Sequence, residues 1–374
     1  MRLNPVLEGL GAYPFVRLNE AKRAAAADGV DVIDLGVGEP REQTPAFIRE
    51  ALRGAVDPLS TYPLAEGLPE LRGAISAWVA TRFGAQLDPA TEVLPTLGSK
   101  EAVFHLAQVL GGERVVVTAP GYPVPERGAR FAGKEVVRLP LLAERGFLPD
   151  LDAIDWPGTA IVWLNFPNNP TGATAPLELY ERAAALAREH DVVLASDEAY
   201  SELWFGEQPR GALELTDRRN VVVFNTLSKR SSMPGYRSGF VAGDPQVIAA
   251  LKRYRPNVGV APQEFVQRAA VAAWSDEQHV DDVRDVYRAK RDVLLGAFEA
   301  AGFTLAGGDA TFFLWLRTPD GADDERIAMA LLRETGIAVA PGSFFGPEGA
   351  GHVRAALVPT RERCAEAAAR LRGR

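Results

Sequence analysis

Residues 221–240 read VVVFNTLSKRSSMPGYRSGF. The first five are a short apolar run rich in β-branched side chains, the pattern of a strand covered on both faces within a parallel sheet. A second strand is expected at 239–242. Between the two stand Lys229 and, eight residues on, Arg237.

The same pattern recurs at 115–119, 161–166 and 192–196. Between the last two of these, residues 177–190 place Leu179, Ala183, Leu186 and Ala187 at helical spacing. Strands alternating with helices predict an α/β fold, with a large domain whose mostly parallel sheet is flanked by helices. From about residue 276 the character changes. One long helix is expected at 281–301, then a strand at 311–316, a helix at 324–335, a strand at 353–358 and a C-terminal helix. The expected division is a large domain at 45–275 and a smaller α/β domain assembled from both chain ends, 1–44 and 276–374.

Composition narrows the function. The chain has 374 residues, enough for two domains, and a formal net charge of -8, which argues against a general nucleic-acid or anionic-membrane binder. A single cysteine, Cys364, can form neither an internal disulfide nor a thiolate zinc site, so a cytoplasmic location is expected. The four histidines, His105, His190, His279 and His352, lack the spacing of a helical metal site, and no metal is expected. Arg2, Asn4, Pro5 and Glu8 interrupt any signal-peptide core, and the uncharged stretch from Trp156 to Leu177 holds four prolines.

Open parallel sheets bind ligands just beyond the carboxyl ends of their strands. Four strands are followed there by informative residues: Gly121-Tyr122-Pro123, Asn168-Asn169-Pro170-Thr171-Gly172, Asp197-Glu198-Ala199-Tyr200, and Thr226-Leu227-Ser228-Lys229 with Arg237. An aromatic ring, an amide, a carboxylate, a phenol, a lysine and an arginine would converge on one edge. That set suits a flat, phosphorylated, heteroaromatic aldehyde. Lysine is scarce here: six of the 41 basic residues. Where charge alone is needed the chain uses arginine, but an amine that must deprotonate can only be lysine. Two rival cofactors fit poorly. The third glycine of a dinucleotide fingerprint beginning at Gly36 would fall on Arg41, and a P-loop ending in Gly98-Ser99-Lys100 would need glycine where Val93 stands.

Taken in order, these segments resemble pyridoxal-phosphate aminotransferases of fold type I, the aspartate-aminotransferase-like superfamily. The resemblance runs from about residue 34 to 359. It implies that Lys229 carries the cofactor and then shuttles the substrate α-proton, and that Asp197 pairs with the pyridine nitrogen. It implies that Asn169 and Tyr200 bond the ring 3-oxygen and that Tyr122 stacks on the ring. The phosphate would be held by Ser99 and Lys100 at a helix N-terminus, with Thr226, Ser228 and Arg237. Tyr62 would reach the phosphate from a neighbouring subunit, so a homodimer with shared active sites is implied. Arg354 would grip the substrate α-carboxylate, and Asn169 and the backbone at Gly38 would also meet the substrate.

Within the superfamily, Gly38-Glu39-Pro40-Arg41 with Thr44-Pro45, the run 228–240, and residues 273–280 are similar to succinyldiaminopimelate aminotransferases. Many relatives carry threonine or phenylalanine after the lysine, where this chain has Arg230. The resemblance implies transfer of an amino group between N-succinyl-LL-2,6-diaminopimelate and 2-oxoglutarate, which becomes glutamate. Arg41, Arg230 and Arg255 are the candidates for a distal carboxylate. The alternatives are a broad-range aspartate, aromatic or alanine aminotransferase and a carbon–sulfur β-lyase on the same fold.

Overall fold

The computed structural model describes residues 1–9, 15–59 and 61–373. Thirteen strands are described, in chain order: β1 (Ile33–Asp34), β2 (Val93–Thr96), β3 (Arg114–Ala119), β4 (Glu135–Pro140), β5 (Thr159–Asn165), β6 (Val193–Asp197), β7 (Val221–Thr226), β8 (Gly239–Gly243), β9 (Thr304–Leu305), β10 (Phe313–Arg317), β11 (Ile337–Ala338), β12 (Ala340–Pro341) and β13 (His352–Ala356).

Seven of them make one sheet in the order β2-β8-β7-β6-β5-β3-β4. From β7 to β4 all pairs are parallel, whereas β8 runs antiparallel to both β7 and β2. β5, β6 and β7 are buried along their whole length, which is why their sequences are almost uninterrupted apolar runs. Helices cover both faces. One of them, Leu177–Glu189, packs Tyr180, Ala183, Ala184 and Ala187 inward. Each large apolar side chain buried this way stabilises the fold by about 1.5–3 kcal/mol.

The antiparallel strand has a consequence for the site. After β7 the chain makes the short helix Leu227–Arg230 and then a turn at Pro234–Tyr236. Arg237 takes a left-handed backbone (φ 54), and the chain returns so that Gly239 faces Thr226 across the ladder. Lys229 and Arg237 are thereby held at the same end of the sheet.

The remaining strands build a second layer system. β12-β13-β10-β9 form an antiparallel sheet, and β1 pairs in parallel with β11. Ile33 and Leu35, from the start of the chain, share a core with Leu294, Phe298, Leu331 and Ala367, from its end. The helix expected at 281–301 spans Gln278–Ala300, and the one expected at 324–335 is Asp324–Thr335, started by the Asp323 side chain on Arg326 N and ended at Gly336 (φ 73). Two strands outside the expected set, β2 and β4, are the edges of the large sheet. No described helix is long and apolar enough to cross a membrane.

Candidate active site

The carboxyl ends of β5, β6 and β7, the loop after β3 and the start of the helix Ser99–Val109 surround a cleft of about 380 Å³. The second layer system closes it with Arg354 on β13 and Phe313 on β10. Lys229, Asp197, Tyr200, Tyr122, Asn169, Ser99, Lys100, Thr226, Ser228, Arg237, Gly38 and Arg354 all line it. Tyr62 does not; its side chain is fully exposed elsewhere on the surface.

At the floor, Asp197 is buried and accepts from Ala199 N at 3.3 Å. Burial pushes its carboxyl up to about 6, against the opposing pull of that hydrogen bond and of Lys229. Such a group is poised to be ionised fully by a cationic partner brought against it. Asn165 ties the floor together: its Nδ2 donates to Asp197 O at 2.8 Å and its Oδ1 accepts from Asn169 N at 3.1 Å. Tyr200 packs edge-on to Phe312 and Phe313, and burial raises its phenol far above the usual range.

Lys229 sits on the single helical turn after β7, where the Thr226 side chain caps Ser228 N. Its Nζ donates to Gly38 O at 2.8 Å. Burial, with repulsion from Arg354 and Arg237, pulls the amine down to about 7, although Glu39 and Asp197 oppose this. A large neutral fraction at neutral pH is what a nucleophilic or proton-transferring amine requires.

At one end of the cleft Thr226 Oγ1 and Ser228 Oγ lie 3.0 Å apart, and Arg237 donates to Pro234 O and Leu97 O at 2.9 and 3.2 Å. Lys100 stands in the first turn of its helix, its amine lowered by burial and by Arg237 and Arg127. Gly98 precedes that helix at φ 66, and a Cβ there would come within 2.6 Å of Arg237 Nη2. The missing side chain leaves a cradle between a helix N-terminus and two cations, which matches a dianionic phosphate.

At the opposite end Arg354 is buried. Its Nη1 donates to Asn169 Oδ1 and its Nη2 to Gly36 O, both at 2.9 Å. Its guanidinium lies 4.1 Å from the Phe313 ring centroid and 4.6 Å from that of Phe345. These aromatics, with Glu39, Asn165, Phe15 and Asn19, line the cleft and were not anticipated from the sequence. Glu39 was within reach, as a charged residue inside a glycine-bearing turn.

Of the three arginines expected at a distal carboxylate, two are spent internally. Arg230 donates to Ala273 O at 2.7 Å and to Asp276 O, pairs with Glu277, and stacks on Trp274. Arg255 donates to Ala65 O and Glu101 Oε1, both at 2.9 Å. Neither lines the cleft. Arg41 does not line it either, but it borders an adjoining hollow that shares Pro234 and Arg237 with the cleft.

The sequence matches the aminotransferase class I and II family over residues 30–371. The chain belongs to that family. This aminotransferase is 38% identical over 376 aligned residues to the LL-diaminopimelate aminotransferase of Nitratidesulfovibrio vulgaris, covering 98% of this chain and 97% of that one. A solved aspartate aminotransferase of Thermus thermophilus, a single mutant, superposes with a TM-score of 0.92 at 32% identity over the full length of both chains. A probable N-succinyldiaminopimelate aminotransferase of Thermus thermophilus superposes with a TM-score of 0.89 at 33% identity, covering 96% of this chain and 99% of the other. The fold is therefore aspartate-aminotransferase-like, and the enzyme is a pyridoxal-phosphate-dependent aminotransferase. The cleft fits that cofactor: a phosphate cradle at one end, a buried carboxylate at the floor, and a lysine of lowered basicity between them.

Proposed function

We propose that this aminotransferase works at the cleft described, on a substrate with a diaminopimelate skeleton acylated by succinate at its distal amine. The placement of Lys229 between Asp197, the phosphate cradle and Arg354 carries the reading of the site. The relatives' names support the diaminopimelate skeleton, and the run 228–240 with the solved structure named as a probable N-succinyldiaminopimelate aminotransferase supports the succinyl group.

Bound pyridoxal phosphate supplies an aldehyde and an electron-withdrawing ring. Ser99, Lys100, Thr226, Ser228 and Arg237 would hold its phosphate. Asp197 would keep the ring nitrogen protonated, Asn169 and Tyr200 would hydrogen-bond the ring oxygen, and Tyr122 would pack on the ring. Arg354 and Asn169 orient the substrate α-carboxylate. Lys229 Nζ, neutral once released, takes the proton from the substrate α-carbon and returns it on the other side of the exchange. The reaction is N-succinyl-LL-2,6-diaminopimelate plus 2-oxoglutarate to N-succinyl-2-amino-6-oxopimelate plus glutamate, reversibly.

A second reading has its own support. Glu39 puts a carboxylate on the cleft wall, which suits a free distal ammonium, and the relative from Nitratidesulfovibrio vulgaris is named for unacylated LL-diaminopimelate. Comparing kcat/KM for N-succinyl-LL-diaminopimelate, LL-diaminopimelate, aspartate and phenylalanine, each with 2-oxoglutarate, decides between them. Preference for aspartate or phenylalanine would overturn both, and release of pyruvate, ammonia and a thiol from a β-thioether amino acid would indicate a lyase.

The proposal includes a cytoplasmic homodimer, with the boundaries near 44/45 and 275/276 separating large and small domains. Val56, Leu59, Tyr62 and Leu64 form an exposed apolar stretch, which supports contact with a second copy through this segment. Sedimentation showing an active monomer would rule it out.

A further inference from the structure

The segment between β1 and the helix Ala46–Gly54 crosses the cleft without regular secondary structure. It presents two carbonyl oxygens inward: Gly36 O accepts from Arg354 and Gly38 O accepts from Lys229. Backbone ladder bonds stop at Leu35, whose N donates to Ala338 O at 2.8 Å and whose O accepts from Ala356 N at 2.7 Å, so from Gly36 onward side chains fix where those oxygens stand.

They do so at both ends. At the near end Lys22 Nζ meets Asp34 Oδ2 at 2.7 Å, and Asp34 Oδ1 accepts from Gly36 N at 2.9 Å. At the far end Lys290 Nζ pairs with Glu42, and Thr44 Oγ1 donates to Ser232 O at 2.6 Å. Lys290 projects from the long helix Gln278–Ala300 and is 1% exposed, with its amine 5.3 Å from the Tyr287 ring centroid. Among the described residues these are the only two ion pairs made by lysine; the others are made by arginine or histidine. One holds Asp34, where β1 leads into the strap, and the other holds Glu42 on the strap itself. A buried cation is tolerated only when paired, and removing one partner strands the other.

We propose that Lys290 is a positioning residue for transamination. Through Glu42 it fixes the far end of the strap, so that Gly38 O stays within hydrogen-bond distance of the free Lys229 amine and Gly36 O stays on Arg354. The proposal rests on the assignment of Lys229 as the reacting amine.

The test uses the cofactor-loaded enzyme with Lys290→Met, Glu42→Gln and the double variant. Each single variant is expected to lose tenfold or more in kcat/KM. Cofactor affinity, read by absorbance titration, should change less than twofold, because the phosphate cradle is untouched. Hydrogen–deuterium exchange should rise in peptides covering 34–45 but not in β5 to β7. The double variant should be no worse than either single one, since neither charge is then stranded. Glu42→Gln, at the more exposed partner, keeps the test available if Lys290→Met does not fold. Unchanged kcat and KM in the folded variants, with only a lowered Tm, would reduce the pair to a structural contact and overturn the proposal. The Lys229 assignment is checked separately in the unmutated enzyme by the site of borohydride labelling.

Discussion

The Lys229 amine and the Gly38 carbonyl oxygen lie 2.8 Å apart although 191 residues separate them in the chain. One belongs to the large sheet and the other to the strap leading from β1. The contact therefore sets the amine against a wall that the sheet alone does not provide. Chemistry at this amine depends on how the two parts of the molecule are held together.

Two lysines line the cleft, Lys229 and Lys100. Only Lys229 feels the charges of both the buried carboxylate and Arg354; Lys100 feels those of Arg237 and Arg127. Borohydride reduction of the cofactor-bound enzyme should attach the cofactor to the peptide containing Lys229, and Lys229→Ala should lose turnover while still binding cofactor through the cradle. A label on Lys100 would refute the assignment.

Asp197→Asn tests the floor with little change of shape. The amide cannot stabilise a protonated ring nitrogen as the carboxylate does, so turnover should fall a hundredfold or more, about 2.7 kcal/mol of transition-state stabilisation. Near-normal turnover with an unaltered cofactor spectrum would sink the role.

How far these groups could be read in the sequence depended on where their partners lie. β5, β6 and β7 were legible because burial on both faces leaves a run of apolar residues in each before the polar groups at its carboxyl end. The edges were not: β2 contains Pro95, and β4 carries Glu135 and Arg138 on a largely exposed strand with no regular alternation. Arg230 and Arg255 were misread as candidates for a substrate carboxylate. Their main partners are backbone carbonyls and acids at least 43 residues away in the chain, which no local pattern reveals. Phe313 and Phe345 were missed for the same reason, since only the fold brings them to the Arg354 guanidinium.

The cofactor-free protein should show a pH signature. Burial lowers Lys229 from 10.5 to about 7, so between those values the unfolded chain holds a proton that the folded one lacks. Stability then rises with pH across that window, and below pH 7 the full cost of the buried charge is present. Asp197 acts in the opposite sense. Its folded value of about 6 lies above the ordinary 3.8, so its contribution falls as pH rises from about 4 to 6. Cofactor-free Lys229→Met should accordingly be more stable than the parent at pH 6, by on the order of 5 kcal/mol, with the gap closing toward pH 10. Denaturant unfolding at several pH values measures it; a gap that widens with pH would contradict the assigned shift.

Gly98→Ala should weaken cofactor binding tenfold or more. The residue sits at φ 66, and its new methyl would press within 2.6 Å of Arg237 Nη2, displacing one of the two cations of the cradle. Stability should fall as well, by about 1–3 kcal/mol, because φ 66 with ψ 166 is a backbone conformation that essentially only glycine adopts. Titration with pyridoxal phosphate separates the two effects, and unchanged affinity would remove Arg237 from the cradle.

Arg354 faces the end of the cleft away from the phosphate cradle, and the two halves of a transamination bring their substrates to the same place. Amino donor and oxo-acid acceptor both carry an α-carboxylate, so one guanidinium must serve both. Its plane is fixed by the Asn169 and Gly36 oxygens and by the aromatic faces of Phe313 and Phe345. A lysine keeps the charge but loses both the fork and the flat face. Arg354→Lys should therefore raise KM for the donor and for 2-oxoglutarate together, each by tenfold or more, while affinity for pyridoxal phosphate stays within twofold. The two KM values must move in parallel, because they report the same carboxylate contact. A rise confined to the donor would place Arg354 at a distal group of that substrate, and a loss of cofactor affinity would place it at the phosphate. Either result would require a different residue to hold the α-carboxylate.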